Sequence, residues 1–171
     1  PSAEYLKEVL ESCVRRVRPG GAVFIGDIRD RELLAAFHTS VQLAKTSPET
    51  TVESMRAAVA AAMQNDDELL VSPASLLRMA AGIPEISRVE LLLKRSAFGN
   101  EMTRFRYDAI FRVGPCQAPA EDVFLTWEPG GDTLEKLRRE LASCRGRNVR
   151  IEGIPNRRVG RDLLAAARLN A

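Results

Sequence analysis

Histidine occurs once in this 171-residue chain, as His38, and cysteine three times, as Cys13, Cys116 and Cys144, too far apart for any C-x-x-C pair. That scarcity leaves no ligand set for a protein zinc site, which needs clustered Cys and His. An odd number of scattered thiols with no secretion signal points to reduced cysteines and a cytoplasmic location. Aromatic residues make up only 5%, and 25 Lys plus Arg balance 23 Asp plus Glu to a net charge of +2. A chain with neither stacking platforms nor a concentrated basic field is not built for nucleic acid. No apolar run approaches the roughly 20 residues of a membrane helix. The opening Pro1-Ser2-Ala3-Glu4-Tyr5 has no basic or apolar region of a leader, and without an initiating Met it reads as part of a longer chain. A G-x-G-x-x-G phosphate loop is also missing: Gly20-Gly21 and Gly130-Gly131 have the wrong spacing and read as turns.

What is present is the balance of a globular domain, with 45% hydrophobic and 28% charged residues. Leu6, Val9, Leu10, Cys13, Val14 and Val17 recur at helical spacing behind a Ser2 cap, and Pro19-Gly20-Gly21 stops that helix. Ala22 to Gly26 is a short apolar run bounded by glycine, the pattern of a buried parallel strand. Asp27 to Asp30 then reads as a polar loop at its carboxyl end, where open α/β sheets bind ligands. Helices are predicted over Arg31 to Lys45, over Val52 to Gln64, and from Ser72-Pro73 to Gly82. Two strands follow, Arg88 to Lys94 and Thr103 to Val113, antiparallel neighbours joined by a return at Arg95 to Asn100. After a Pro115 to Pro119 connection come a strand at Val123 to Trp127, a helix at Thr133 to Cys144, a strand at Val149 to Gly153 and a helix at Arg158 to Leu169. The order defines an α/β fold: one parallel strand plus an antiparallel closing strand pair, helices on both faces, the second half of a doubly wound sheet.

Three stretches carry a family resemblance. Val23-Phe24-Ile25-Gly26-Asp27-Ile28-Arg29, followed by Leu33-Leu34 and Phe37-His38-Thr39-Ser40-Val41-Gln42-Leu43, is similar to a "VFVGDVR…LL..FH.SVQL" segment. Asn100-Glu101-Met102-Thr103-Arg104-Phe105-Arg106-Tyr107-Asp108-Ala109-Ile110 is similar to "NELSxYRYxAV", and Ile151 to Arg158 to "v.giPNaR". These segments, in this order, resemble the C-terminal part of the methyltransferase domain of nonribosomal peptide synthetases and hybrid polyketide synthases. The resemblance spans residues 1–171 as one portion of a class I, Rossmann-like methyltransferase domain. It implies S-adenosylmethionine as cofactor, bound mainly by residues upstream of Pro1, so the polypeptide by itself is expected to be inactive. It implies as partners the N-terminal half of the domain, a carrier protein with a phosphopantetheine-tethered substrate, and a neighbouring adenylation domain.

Within that frame, Asp27 and Arg29 are candidates to bind substrate, or else form a structural ion pair capping the loop. His38 and Glu101 are the candidate catalytic acid–base pair, since a neutral imidazole accepts a proton near pH 7; the bland alternative for His38 is a histidine at the core edge. Gln42, one turn from His38, and Asn100 are candidate substrate contacts, Asn100 alternatively a turn former. Arg104 and Arg106 are expected on one solvated sheet face, with Phe105 and Tyr107 on the other. Cys13 and Trp127 read as packing, Asn156 as a helix cap, and Cys116 as a loop thiol without a base.

Three functions fit: methylation of a carrier-tethered aminoacyl or acyl intermediate, at nitrogen or carbon; a non-catalytic docking remnant of a synthetase; or a stand-alone small-molecule methyltransferase. A sheet cut in half also exposes a strand edge, which predicts self-association through Val23 to Ile25 or cover by a helix.

Overall fold

The structure is a computed structural model that describes residues 2–95, 98–115, 123–130 and 133–171. The chain divides into two compact units, Pro1–Cys116 with Arg157–Ala171, and Gln117–Asn156.

The larger unit begins with helix α1 (Ala3–Val14), whose first turn is closed by the Ser2 hydroxyl accepting from the Tyr5 N–H. Strand β1 (Ala22–Arg29) follows, then a single 3₁₀ turn, Arg31–Leu33, capped by Asp30. Helices α2 (Leu34–Lys45), α3 (Val52–Gln64) and α4 (Pro73–Ala81) come next, with Thr51 and Ser72 as hydroxyl caps of the last two. Strand β2 (Ile86–Leu93), the one-turn helix α5 (Glu101–Arg104), strand β3 (Arg106–Val113) and, later, helix α7 (Gly160–Asn170) complete it.

Strand order is β1-β3-β2, and β3 runs antiparallel to both neighbours. β3 alternates strictly, with Tyr107, Ala109, Phe111 and Val113 buried and the residues between them half-buried. Its buried row joins Leu10 and Val14 of α1, Val23 and Ile28 of β1, and Leu76 and Ala80 of α4 in the main core. Burying such side chains contributes on the order of 1.5–3 kcal/mol each. A second cluster unites Ala36 of α2, Phe105, Val159 and Ala166 of α7, with Leu33 and Phe37 against it.

Three expectations are corrected here. The Val23 strand is antiparallel, because the late strand β3 inserts beside it; a short apolar run does not encode direction. It also passes Gly26 and continues to Arg29 through a register break between Ile25 and Ile28. There Asp27 takes φ 60°, which lets Ile28 and Arg29 turn back into buried positions. Finally, the segment from Asn100 to Arg104 is not strand: Asn100 Oδ1 accepts from the Thr103 N–H and Thr103 Oγ1 accepts from the Asn100 N–H, a reciprocal cap that opens α5. Of the helices expected on both faces, α1 and α4 pack over the buried row of β3. The opposite row, Phe24, Ile110 and Glu90 in register, is half-buried or exposed.

The smaller unit carries β4 (Val123–Thr126), α6 (Thr133–Ser143) and β5 (Val149–Glu152), with the two strands parallel. The crossover helix between parallel strands is the usual β-α-β arrangement. Cys116 and the Pro115 to Pro119 connection beyond Pro115 lie outside the described residues, as does Gly131.

Candidate functional site

The carboxyl end of β1 meets the amino end of β3 and the carboxyl end of β2, and ionised side chains crowd there. The Asp27 N–H donates to Asp108 Oδ1 at 2.9 Å, and Lys94 Nζ lies 2.7 Å from Asp27 Oδ1 and 3.1 Å from Asp108 Oδ1. The hydrogen bond from Lys94 holds the Asp27 carboxyl below its usual range, and the same bond holds the Lys94 ammonium above its own. Arg106 donates to the Asp27 carbonyl at 3.0 Å and grips the Glu68 carboxylate with both Nη1 and Nη2, the latter at 2.9 Å.

From Glu68 the chain of charges turns inward. Arg29 Nη1 donates to Glu68 Oε2 at 2.9 Å, and Arg29 Nη2 lies 2.8 Å from Asp66 Oδ2. Nη1 also donates to Asp66 Oδ1 at 3.2 Å, so Arg29 holds both oxygens of Asp66, the Nη2 contact being ionic without hydrogen-bond geometry. Asp66 is 5% exposed and meets His38 Nε2 at 2.7 Å, while its other oxygen accepts from the Glu68 N–H at 3.2 Å. Burial alone would raise the Asp66 carboxyl. Hydrogen bonding to His38 and the Glu68 N–H, with the Arg29 charge, outweighs burial and leaves it below the usual range. Phe37 floors this inner end, with the Arg29 guanidinium 4.1 Å above its ring centroid and the His38 ring edge-on at 4.9 Å. The outer end faces a cleft of about 530 Å³ whose walls include Leu6, Ile25, Asp27, Arg29, Asp67 and Glu68.

Of the residues expected from sequence, Asp27, Arg29 and His38 are brought into this one network. The carboxylate paired with His38 is Asp66, not Glu101: the Asn100–Thr103 cap starts a helix at Glu101 and leaves that side chain exposed. Asn100 is occupied as the cap of α5. Gln42 is half-buried on α2, four residues from His38. Arg104 and Arg106 do not share a solvated face: Arg104 clamps both oxygens of Asp162 at 3.0 and 2.8 Å, tying α5 to α7, while Arg106 holds Glu68. Phe105 and Tyr107 are buried, and the Tyr107 hydroxyl donates to the Val71 carbonyl at 3.0 Å.

Sequence reasoning missed Asp66, Glu68, Lys94 and Asp108. The one available signal was the acidic run Asp66-Asp67-Glu68 between an Ala-rich helix and the Ser72 cap. Among the described residues no cluster of three or more His, Cys, Asp or Glu is arranged to hold a metal ion, and no helix is long and apolar enough to cross a membrane.

Comparison with known proteins gives this α/β chain a context. The chain is 37% identical over 169 residues to chondramide synthase of Chondromyces crocatus, covering 95% of this chain and 4% of that protein. It is 34% identical over 169 residues to a probable non-canonical nonribosomal peptide synthetase of Salinispora arenicola, covering 99% of this chain and 2% of that one. With cyclosporin synthetase of Tolypocladium inflatum it shares 31% identity over 173 residues, 99% of this chain and 1% of that protein. No protein-family model matches. The chain is thus homologous to a short segment of nonribosomal peptide synthetases, and spans only a few per cent of the length of these relatives.

Proposed function

We propose that this chain is the substrate-side portion of an S-adenosylmethionine-dependent methyltransferase domain in a nonribosomal peptide or hybrid polyketide synthetase. The observation that carries this reading is the buried His38–Asp66–Arg29 network, of which Arg29 also lines the cleft at the end of β1. The residues present suit one end of the cofactor only: the cleft walls carry three carboxylates, Asp27, Asp67 and Glu68, against the one guanidinium of Arg29, a balance that favours a cationic sulfonium or ammonium. No glycine-rich loop in this sequence would hold the remainder. When bound, the cofactor supplies an electrophilic methyl group. In this reading His38 takes the proton of an attacking amine or acidic carbon, with the developing imidazolium facing Asp66. Arg29 and Arg106 hold Asp66 and Glu68 in place. The edge contact of half-buried Phe37 with buried Phe105 packs apolar surface behind the network.

In this reading the partners are the N-terminal half of the domain, a carrier protein presenting a phosphopantetheine-tethered aminoacyl or acyl group, and the neighbouring adenylation domain, in the cytoplasm. Calorimetry of the full-length protein with S-adenosylmethionine and S-adenosylhomocysteine tests it. Binding of either is expected; binding of neither removes the proposal.

A second reading, a non-catalytic docking element, is favoured by one feature. Among the described residues the outer edge of β1 is paired only at Arg29, through a parallel bridge to Leu70. The sequence immediately upstream of Pro1 separates the two: a glycine-rich "LEIGxGxG" there supports the catalytic reading, and its absence the docking one.

A further inference from the structure

His38 has two ring nitrogens, and only one of them can serve as a base in the neutral side chain. Nε2 is 2.7 Å from Asp66 Oδ2. The Asp66 carboxylate is fixed from three directions, by Arg29 at 2.8 Å, by the Glu68 N–H at 3.2 Å and by His38 itself. A carboxylate beside a buried guanidinium stays ionised, and an ionised carboxylate only accepts hydrogen bonds. The proton in the short contact therefore sits on Nε2.

We infer that Asp66 is the positioning residue for His38: it fixes the neutral ring as the Nε2–H tautomer and makes Nδ1 the proton-accepting atom. The one hydrogen bond of the ring found among the described residues is that of Nε2, which leaves Nδ1 for a proton from outside the network. This inference rests on the reading of His38 as the base of a methyl transfer. In that step the nucleophile's electron pair forms the new bond to the methyl carbon, and the carbon–sulfur bond of a sulfonium donor breaks with its pair going to sulfur. The nucleophile's proton passes to Nδ1, leaving a neutral thioether and an imidazolium. That imidazolium meets a matching charge. Lys94, Arg106 and Arg29 oppose four carboxylates, Asp27, Asp108, Glu68 and Asp66, so the network carries one carboxylate more than its cations. The groups nearest the ring are Asp66 from the loop after α3 and, behind it, Arg29 from β1 with Glu68. Arg104 of α5 reaches Ser40 of α2 at 3.3 Å.

His38 is the only histidine of these 171 residues, and in ¹⁵N-histidine-labelled full-length protein its ring is read as the nitrogen NMR signals that disappear in His38→Gln. Above neutral pH the directly bonded proton is expected on Nε2, in on the order of tenfold or greater excess over the other tautomer, the selectivity of a charge-assisted hydrogen bond. A proton on Nδ1, or comparable populations of both tautomers, overturns the inference. In Asp66→Asn, whose amide can donate as well as accept, the excess is expected to collapse, and in Asp66→Glu to return in part. An unchanged excess in Asp66→Asn also overturns it. If Asp66→Asn does not fold, the wild-type and Asp66→Glu spectra still decide. The reading of His38 as base fails separately, if His38→Ala leaves methyl transfer by the full-length protein unchanged while the tautomer stays fixed.

Discussion

The Asp27 N–H donates to the carboxylate of Asp108 at 2.9 Å, across 81 residues of sequence. One hydrogen bond thus pins the bulge of β1 to the face of β3, where Lys94 also lands. The kink it holds is what turns Arg29 inward.

Asp27 sits at φ 60°, a region that Gly, Asn and Asp reach at little cost and β-branched residues do not. Asp27→Asn is expected to keep nearly wild-type stability. Asp27→Val is expected to lose about 1–3 kcal/mol in urea unfolding, the usual cost of such strain.

Asp66 and Arg29 are both buried, at 5% and 8% exposure. Removing the carboxylate leaves a guanidinium without its counter-charge in a place water reaches poorly. Asp66→Ala is expected to cost about 3–5 kcal/mol by denaturant unfolding. The double variant Asp66→Ala with Arg29→Met is expected to recover part of that loss.

Acid stability follows from the same groups. Lys94 depresses the Asp27 carboxyl, Arg112 depresses Glu90, and at Asp66 the hydrogen bonds from His38 and the Glu68 N–H, with the Arg29 charge, outweigh burial. A folded value below the unfolded one of about 4 means stability present above about pH 4 and lost as pH falls through the folded values. Asp30, raised by burial, has the opposite sign: its ionisation opposes folding, and protonation relieves that. The urea midpoint is therefore expected to fall below about pH 4, and to fall less steeply in Asp66→Asn.

The Tyr107 hydroxyl donates to the Val71 carbonyl inside the main core, and burial raises its phenol well above the ordinary range. Tyr107→Phe is expected to cost about 1 kcal/mol in thermal or urea unfolding. Ultraviolet titration is expected to show this phenol resisting ionisation until the protein unfolds.

Local signals were legible and distant ones were not. Ser2, the Ala-rich run over α3 and Ser72-Pro73 mark their helices because a cap and a periodicity act within a few residues. The pairing of β2 with β3 was readable from their proximity. The insertion of β3 beside β1 was not, since nothing local to Ala22–Gly26 specifies a partner some 80 residues on. Asn100 to Arg104 carries strand-like residues, yet the Asn100–Thr103 cap decides the conformation. His38 and Arg29 could be singled out by type and placement. Their partner Asp66, 28 and 37 residues away, is fixed only by the packing of α3 and its following loop against α2 and β1.

The most direct test of the account is transfer of a labelled methyl group from S-adenosylmethionine by the full-length protein, comparing wild type with His38→Ala under conditions where both bind the cofactor. Loss of transfer on the order of 10²–10⁴-fold, the contribution of a positioned general base, is the expected result. Transfer at the wild-type rate without His38 would contradict the claim that this network is the catalytic end of a methyltransferase.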